Sequence, residues 1–147
     1  MSFFGSMDVS ASGLTAQRLR LDIISQNIAN AQTTRTETGG PYQRQAVIFE
    51  TISNDKSFNQ VLKKQKGKLT NGGVRVAEIV KDEREFPLVY DPTHPDANEE
   101  GYVAMPNVNT VEEMVNMISA NRSYEANVTA FNSMKAMVTK ALEIGKS

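Results

Sequence analysis

The chain has 147 residues and a net charge of −1, from 16 basic and 17 acidic side chains. That near-balance lacks the basic footprint of a nucleic-acid binder, and no run of ~18 apolar residues offers a membrane span. Zero cysteines exclude disulfides, thiolate metal sites and cysteine nucleophiles, and Val, Ile, Leu and Phe together number only 34, enough for a thin core.

The start, Met1 to Ser6, has neither a basic n-region nor an apolar h-region. The expectation is a chain that stays in the cytoplasm or is exported without cleavage. Met7, Leu14, Leu21 and Ile28 are spaced by seven, with Ile24 and Ala31 alongside. The pattern predicts a first helix with a heptad seam, entered at Ser10 or Ser12 and weakened at Gly13 by about 1 kcal/mol relative to Ala. Asn27 and Asn30 lie one turn apart near its end. They could terminate the helix, since Asn tolerates the left-handed conformation, or they could hydrogen-bond between subunits.

The middle differs in composition. All five prolines fall between Pro41 and Pro106. Gln45–Glu50 and Val74–Ile79 read as strands, the second following the turn signal Asn71-Gly72-Gly73. Leu88–Tyr90 and Tyr102–Ala104 flank a turn-rich stretch, Asp91-Pro92-Thr93-His94-Pro95-Asp96. That stretch satisfies the backbone needs of a tight loop. A metal or catalytic role for the single histidine, His94, lacks the three or four ligands such sites use. Lys63, Lys64, Lys66 and Lys68 make a basic run in the loop 55–69. It reads as a solvated loop or as a contact for an acidic neighbour or the cell wall.

From Asn107 to Ile144 there is neither Gly nor Pro. Thr110-Val111-Glu112-Glu113 reads as a capping box, and Gly145 as a C-terminal cap. Met117, Tyr124, Phe131 and Val138 repeat every seven residues, with Met114, Val128, Met134 and Leu142 beside them and Asn121 as a polar break. A helix from Thr110 to Ile144 would be about 52 Å long, whereas a compact chain of this length is roughly 38 Å across. The prediction is an elongated α+β molecule. Its long N- and C-terminal helices pair as an antiparallel coiled coil, with a small β-rich segment between them. The divisions are 1–40, 41–106 and 107–147. Few charges and many small polar residues on both helices suggest surfaces that touch protein on several sides.

Two motifs carry a family resemblance. Asn27-Ile28-Ala29-Asn30, preceded by Ser12-Gly13-Leu14 and followed by Thr33, resembles the N-terminal signature of the axial rod and hook proteins of the bacterial flagellum. Asn107-Val108-Asn109, Glu113-Met114-Val115 and Asn121-Arg122-Ser123-Tyr124-Glu125-Ala126-Asn127 resemble their C-terminal signature. Between them, Tyr90-Asp91-Pro92, His94-Pro95, Glu100-Gly101-Tyr102-Val103 and Pro106-Asn107-Val108 look like a proximal-rod member, as does the short middle. The sequence departs from the common pattern at Arg35, with Gly39-Gly40-Pro41-Tyr42 arriving late.

The resemblance implies a non-enzymatic structural subunit of the proximal rod of the flagellar basal body, with no cofactor and no metal. It implies export without signal cleavage through the flagellar type III apparatus and assembly on the periplasmic side of the inner membrane. Expected partners are copies of itself, other proximal rod proteins, the basal-body adaptor and the distal rod protein. Neither nucleic acid nor direct membrane insertion is expected. It also tips Asn27 and Asn30 toward an interface role. The expected assembly interface is Leu14, Leu21, Ile24, Asn27, Ile28, Asn30, Met117, Asn121, Tyr124, Val128, Phe131 and Val138. The alternative is a soluble adaptor that binds partner helices through its terminal helices. An enzyme is disfavoured, because no nucleophile–base pair or phosphate-binding loop stands out.

Overall fold

The computed structural model describes residues 3–37, 39–52 and 72–145. Helix α1 spans Phe3–Ala29 and helix α2 spans Thr110–Ile144. Among the described residues four strands lie between them: β1 (Gln45–Ile52), β2 (Gly73–Lys81), β3 (Leu88–Tyr90) and β4 (Tyr102–Ala104). The class is α+β, with β1 beside β2 in one two-stranded sheet and β3 antiparallel to β4 in another. Apart from the start of α1, the elements match the sequence expectation closely, because the long Pro-free terminal segments are helical and the β-branched runs are strands. The basic loop 55–69 lies outside the described residues.

The chain forms two compact units. One comprises Met1–Arg18, Phe49–Ala77 and Asn121–Ser147. The other comprises Leu19–Ile48 and Glu78–Ala120. In the first unit, a Cβ added at Gly13 would stand 2.9 Å from Oδ1 of Asn127, so glycine permits a close approach of α1 to the α2 side chain. The Ser12 hydroxyl donates to the Val9 carbonyl and accepts the Val74 backbone N–H at 3.1 Å, tying α1 to the start of β2.

In the second unit, the chain leaves α1 through a Gly-dependent loop. The Thr36 N–H donates to the Gly40 carbonyl and the Tyr42 N–H to the Thr33 carbonyl. Gly39 and Gly40 have φ of 84° and 77°, a region that costs other residues. The late Gly-Gly-Pro-Tyr thus folds the chain back and returns Tyr42 to the end of α1.

Four end-cap readings are corrected. The first helix begins at Phe3, so Ser10 and Ser12 lie within it. At the start of α2, Asn109 is the cap: its Oδ1 accepts the N–H groups of Val111 and Glu112 at 3.0 and 3.3 Å. Glu113 has turned inward and is fully buried. Gly145 is not among the positive-φ glycines; its N–H continues the helical pattern to Ala141. Nor does Asn30 close α1 through a left-handed backbone, since no described non-glycine residue has positive φ.

The predicted first seam is displaced by about one residue. Gly5, Ser10, Gly13, Ala16, Ile23, Ile24 and Asn27 are the buried positions among the described side chains of α1, while Leu14, Leu21 and Ile28 are half-buried at the edge of that face. Beside Ile23 and Ile24, the interior positions are small or polar, which lets the backbone approach closely. On α2 the half-buried Met117, Tyr124, Phe131 and Val138 share a face with buried Glu113 and Ala120.

Candidate assembly interface

The interior of the second unit is organised by polar groups. Asn27 is fully buried. Its amide Nδ2 donates to the Gln45 carbonyl at 2.8 Å and to Glu113 Oε2 at 2.9 Å. Its Oδ1 accepts the Tyr42 hydroxyl at 2.9 Å and the Gln45 N–H at 3.0 Å. Two donors and two lone pairs exhaust the capacity of an amide. The Asn27 amide therefore has nothing left to offer a neighbouring subunit, and its role in the structure is intramolecular.

Glu113 is the anion of this cluster. Its Oε1 accepts Arg44 Nε at 3.0 Å and Nη2 at 2.8 Å, in a forked charge-assisted contact. Arg44 Nη1 also reaches Asp82 Oδ2 at 3.3 Å. A buried carboxylate is tolerated only when paired and hydrogen-bonded, and Glu113 meets both conditions. Asn107 completes the cluster: its Oδ1 accepts the Arg44 N–H at 2.8 Å, and its Nδ2 donates to the carbonyls of Asp82 and Arg84, both at 3.0 Å.

Titration follows from these contacts. Burial, and then the Glu113 charge, push the Tyr42 phenol above its ordinary range. The Arg84 hydrogen bond holds Asp82 below the usual carboxylate range. With cationic partners on both acids, the cluster acts as a structural lock: it fixes the end of α1, the start of β1 and the start of α2.

The other expected residues fall into distinct environments. Asn30 is local, with its Nδ2 donating to the Gln26 carbonyl and its Oδ1 accepting the Thr33 hydroxyl. Ile24 is buried. Leu14, Leu21, Ile28, Met117, Tyr124, Val128, Phe131 and Val138 are half-buried. Asn121 is exposed and donates to Glu125 on its own helix at 3.2 Å. In the turn, His94 Nδ1 accepts the Asp96 N–H at 3.1 Å, and Asp91 accepts both the N–H and the hydroxyl of Thr93, which holds its carboxyl low.

Sequence reasoning missed the rest of the cluster: Tyr42, Arg44, Asp82, Asn107 and the inward turn of Glu113. One signal was present. Glu113, Ala120 and Asn127 repeat every seven residues, as do Gly13 and Asn27 at twice that spacing. Both series describe helix faces built from small and polar residues.

Comparison with known proteins identifies the family. Residues 7–35 match the flagella basal body rod protein family, and residues 99–144 match the C-terminal family of flagellar basal body rod FlgEFG proteins. The flagellar basal-body rod protein FlgC of Bacillus subtilis (strain 168) is 51% identical across 99% of this chain and 100% of its own length. FlgC of Borreliella burgdorferi is 52% identical across 98% of both chains. FlgC of Escherichia coli O157:H7 is 39% identical across 99% of this chain and 100% of its own. With both end motifs, the middle and the full span of the chain in agreement, this protein belongs to the flagellar basal-body rod protein family, in its FlgC group.

Proposed function

We propose that the chain is a non-enzymatic structural subunit of the rod of the flagellar basal body. The observation that carries this is similarity over essentially the whole length to rod proteins, at 38–52% identity. In this reading the chain assembles with the other rod components of the basal body. Its finer partners are copies of itself, further proximal rod proteins, the basal-body adaptor, the distal rod protein and, on the way out, the type III export apparatus. The divisions 1–40, 41–106 and 107–147 serve as first axial helix with its exit, β-rich middle and second axial helix.

We infer further that α1 and α2 pair antiparallel. Two contacts support that register. Moving fourteen residues forward from Gly13 to Asn27 on α1 corresponds to moving fourteen back from Asn127 to Glu113 on α2. Half-buried Leu14, Leu21, Ile28, Tyr124, Phe131 and Val138 would line the edges of this pair and complete their burial against neighbouring subunits.

The test is replacement of the rod gene in a flagellated host by this chain. Motility and the presence of the chain in purified basal bodies are the expected result. Leu21→Asp should still be secreted but should reduce rod assembly. A chain that is expressed yet absent from basal bodies, remaining a discrete soluble complex, would favour the adaptor instead.

A further inference from the structure

The second unit carries two apolar surfaces that nothing among the described residues covers. The first lies on α2. Val111, Met114, Val115 and Ile118 follow the i, i+3, i+4, i+7 spacing of one helix face, and Val115 and Ile118 are 62% and 55% exposed. At 3.6 residues per turn this stripe lies opposite Glu113 and Ala120. The helix is therefore inverted here, with a carboxylate facing inward and aliphatic side chains facing outward.

The second surface lies on the β3–β4 pair. The register sets Leu88 opposite Ala104 and Tyr90 opposite Tyr102, so these four share one side of the ladder. Leu88 and Tyr90 are 66% and 64% exposed, while Val103 on the other side is buried. The two tyrosine rings pack edge to face with centroids 5.3 Å apart, forming a preformed apolar platform.

We propose that the α2 stripe of one copy docks on the β3–β4 platform of a second copy, in a head-to-tail contact. This rests on the rod-subunit reading and names the partner surface within it. Charge supports the choice of occupant. Between Glu113 and Arg122 the α2 sequence has no charge, and exposed Arg122 lies one turn beyond Ile118. Exposed Glu99 and Glu100 immediately precede Gly101 and β4. None of these three makes an ion pair with another described residue. Docking stripe on platform sets the arginine to meet the glutamates.

Size supports the mode. Four side chains on each surface fall far short of the roughly 20–30 residues a side of a stable pair. Such a contact is weak alone and holds only beside the other contacts of an assembled rod. A contact between two different surfaces does repeat, because each copy keeps one of each free, and it propagates into an open filament where rotation does not close it.

The chain has no cysteine, so cross-linking reads the contact directly. Leu88→Cys and Val115→Cys would be placed together in the full chain and, separately, one at a time. Basal bodies would then be purified, oxidised and run on non-reducing gels. The doubly substituted chain should give a ladder of dimers and higher oligomers, and each single substitution should give none. A dimer from either single variant would show like-on-like contact and overturn the proposal. So would a link within one chain, or no link in basal bodies that contain the variant. Tyr90→Cys with Ile118→Cys gives a second pair. If both pairs were excluded from basal bodies that admit the wild-type chain, the proposal fails, since cysteine is small and apolar enough for this contact. Absence of the wild-type chain itself from basal bodies would instead overturn the rod reading.

Discussion

Replacing Asn27 by Asp isolates the contribution of one buried amide with almost no change of shape. The amide donates to the Gln45 carbonyl and to Glu113 Oε2. A carboxylate can donate to neither, and it would place a second negative charge about 3 Å from the first. Each buried group left unpaired costs about 1–3 kcal/mol. Two unit charges 4 Å apart repel by about 4 kcal/mol at an effective dielectric of 20. The pair escapes part of that repulsion by retaining a proton, so the expected net loss at pH 7.5 is about 3–5 kcal/mol. A proton retained only in the folded state means a folded pKa raised above the unfolded one. The charge-dependent part of the deficit is then absent below the unfolded carboxyl pKa of about 4 and grows as pH rises, while the acceptor that a single O–H cannot reach keeps a cost at every pH. Urea unfolding of the full chain, followed by far-UV circular dichroism at pH 4.5 and 7.5, should show a midpoint well below wild type at pH 7.5 and a smaller gap at pH 4.5. With a slope of about 1–3 kcal/mol/M, the shift at pH 7.5 is on the order of 2 M. A variant within about 1 kcal/mol of wild type at both pH values would refute the view that Asn27 is locked inside the chain. A double-mutant cycle with Glu113→Gln would assign the coupling to this pair.

Tyr42→Phe removes the hydroxyl that Asn27 Oδ1 accepts and should cost about 0.5–1.5 kcal/mol at neutral pH. Because the folded phenol titrates above its unfolded value, the wild-type chain should lose stability as pH climbs past about 10, and the Phe variant should lose less; equal alkaline slopes would count against the burial of this ring. Asp82, held low chiefly by its Arg84 hydrogen bond, supplies stability that is present above the unfolded carboxyl value and lost as pH falls through its folded one. Asp82→Asn should flatten that part of the acid unfolding curve, and an unchanged curve would contradict the assignment. Gly13→Ala offers about 1 kcal/mol of helix propensity, but the new methyl meets Asn127 Oδ1 at 2.9 Å. The single variant should gain little thermal stability, whereas Gly13→Ala with Asn127→Ala should recover part of the gain relative to Asn127→Ala alone. An additive result would mean that the close approach is not maintained.

Element types and most bounds, the start of α1 excepted, were legible because their signals are local. Thr110–Ile144 contains no helix breaker, and Leu88–Tyr90 and Tyr102–Ala104 are bounded by Pro, Gly and Asp turns. Burial was less legible because it depends on partners distant in sequence. A heptad search selects large apolar residues, so it chose Leu14, Leu21 and Ile28 and passed over Gly13 and Asn27 one position away. Glu113, three residues after a Thr, satisfied a capping-box pattern. Its burial required Arg44, 69 residues earlier, to be brought alongside by the Gly39–Gly40 loop. Asn109 won the cap because its short side chain reaches the N–H groups of the first turn without a reciprocal partner.

The inversion of α2, polar inward and aliphatic outward near its start, separates two tasks that a conventional core would combine. Inward, hydrogen bonds impose geometry. If the helices slipped by one heptad in the antiparallel register inferred above, Asn27 would face Ala120, whose methyl can accept nothing. Its donors would then be buried unpaired, at about 1–3 kcal/mol each. A seam of Leu and Ile alone would tolerate such a slip far better, since one aliphatic contact resembles the next. This fixing of register falls to Asn27 rather than to Asn121, which is exposed and hydrogen-bonds to Glu125 on its own helix. Outward, the aliphatic side chains keep apolar area in reserve. Each of Val115, Ile118 and Leu88 would gain up to about 1.5–3 kcal/mol on full burial, a gain realised only when another protein surface arrives. A chain with so few large apolar residues gains specificity within itself from a saturated polar cluster and leaves part of its hydrophobic driving force for assembly.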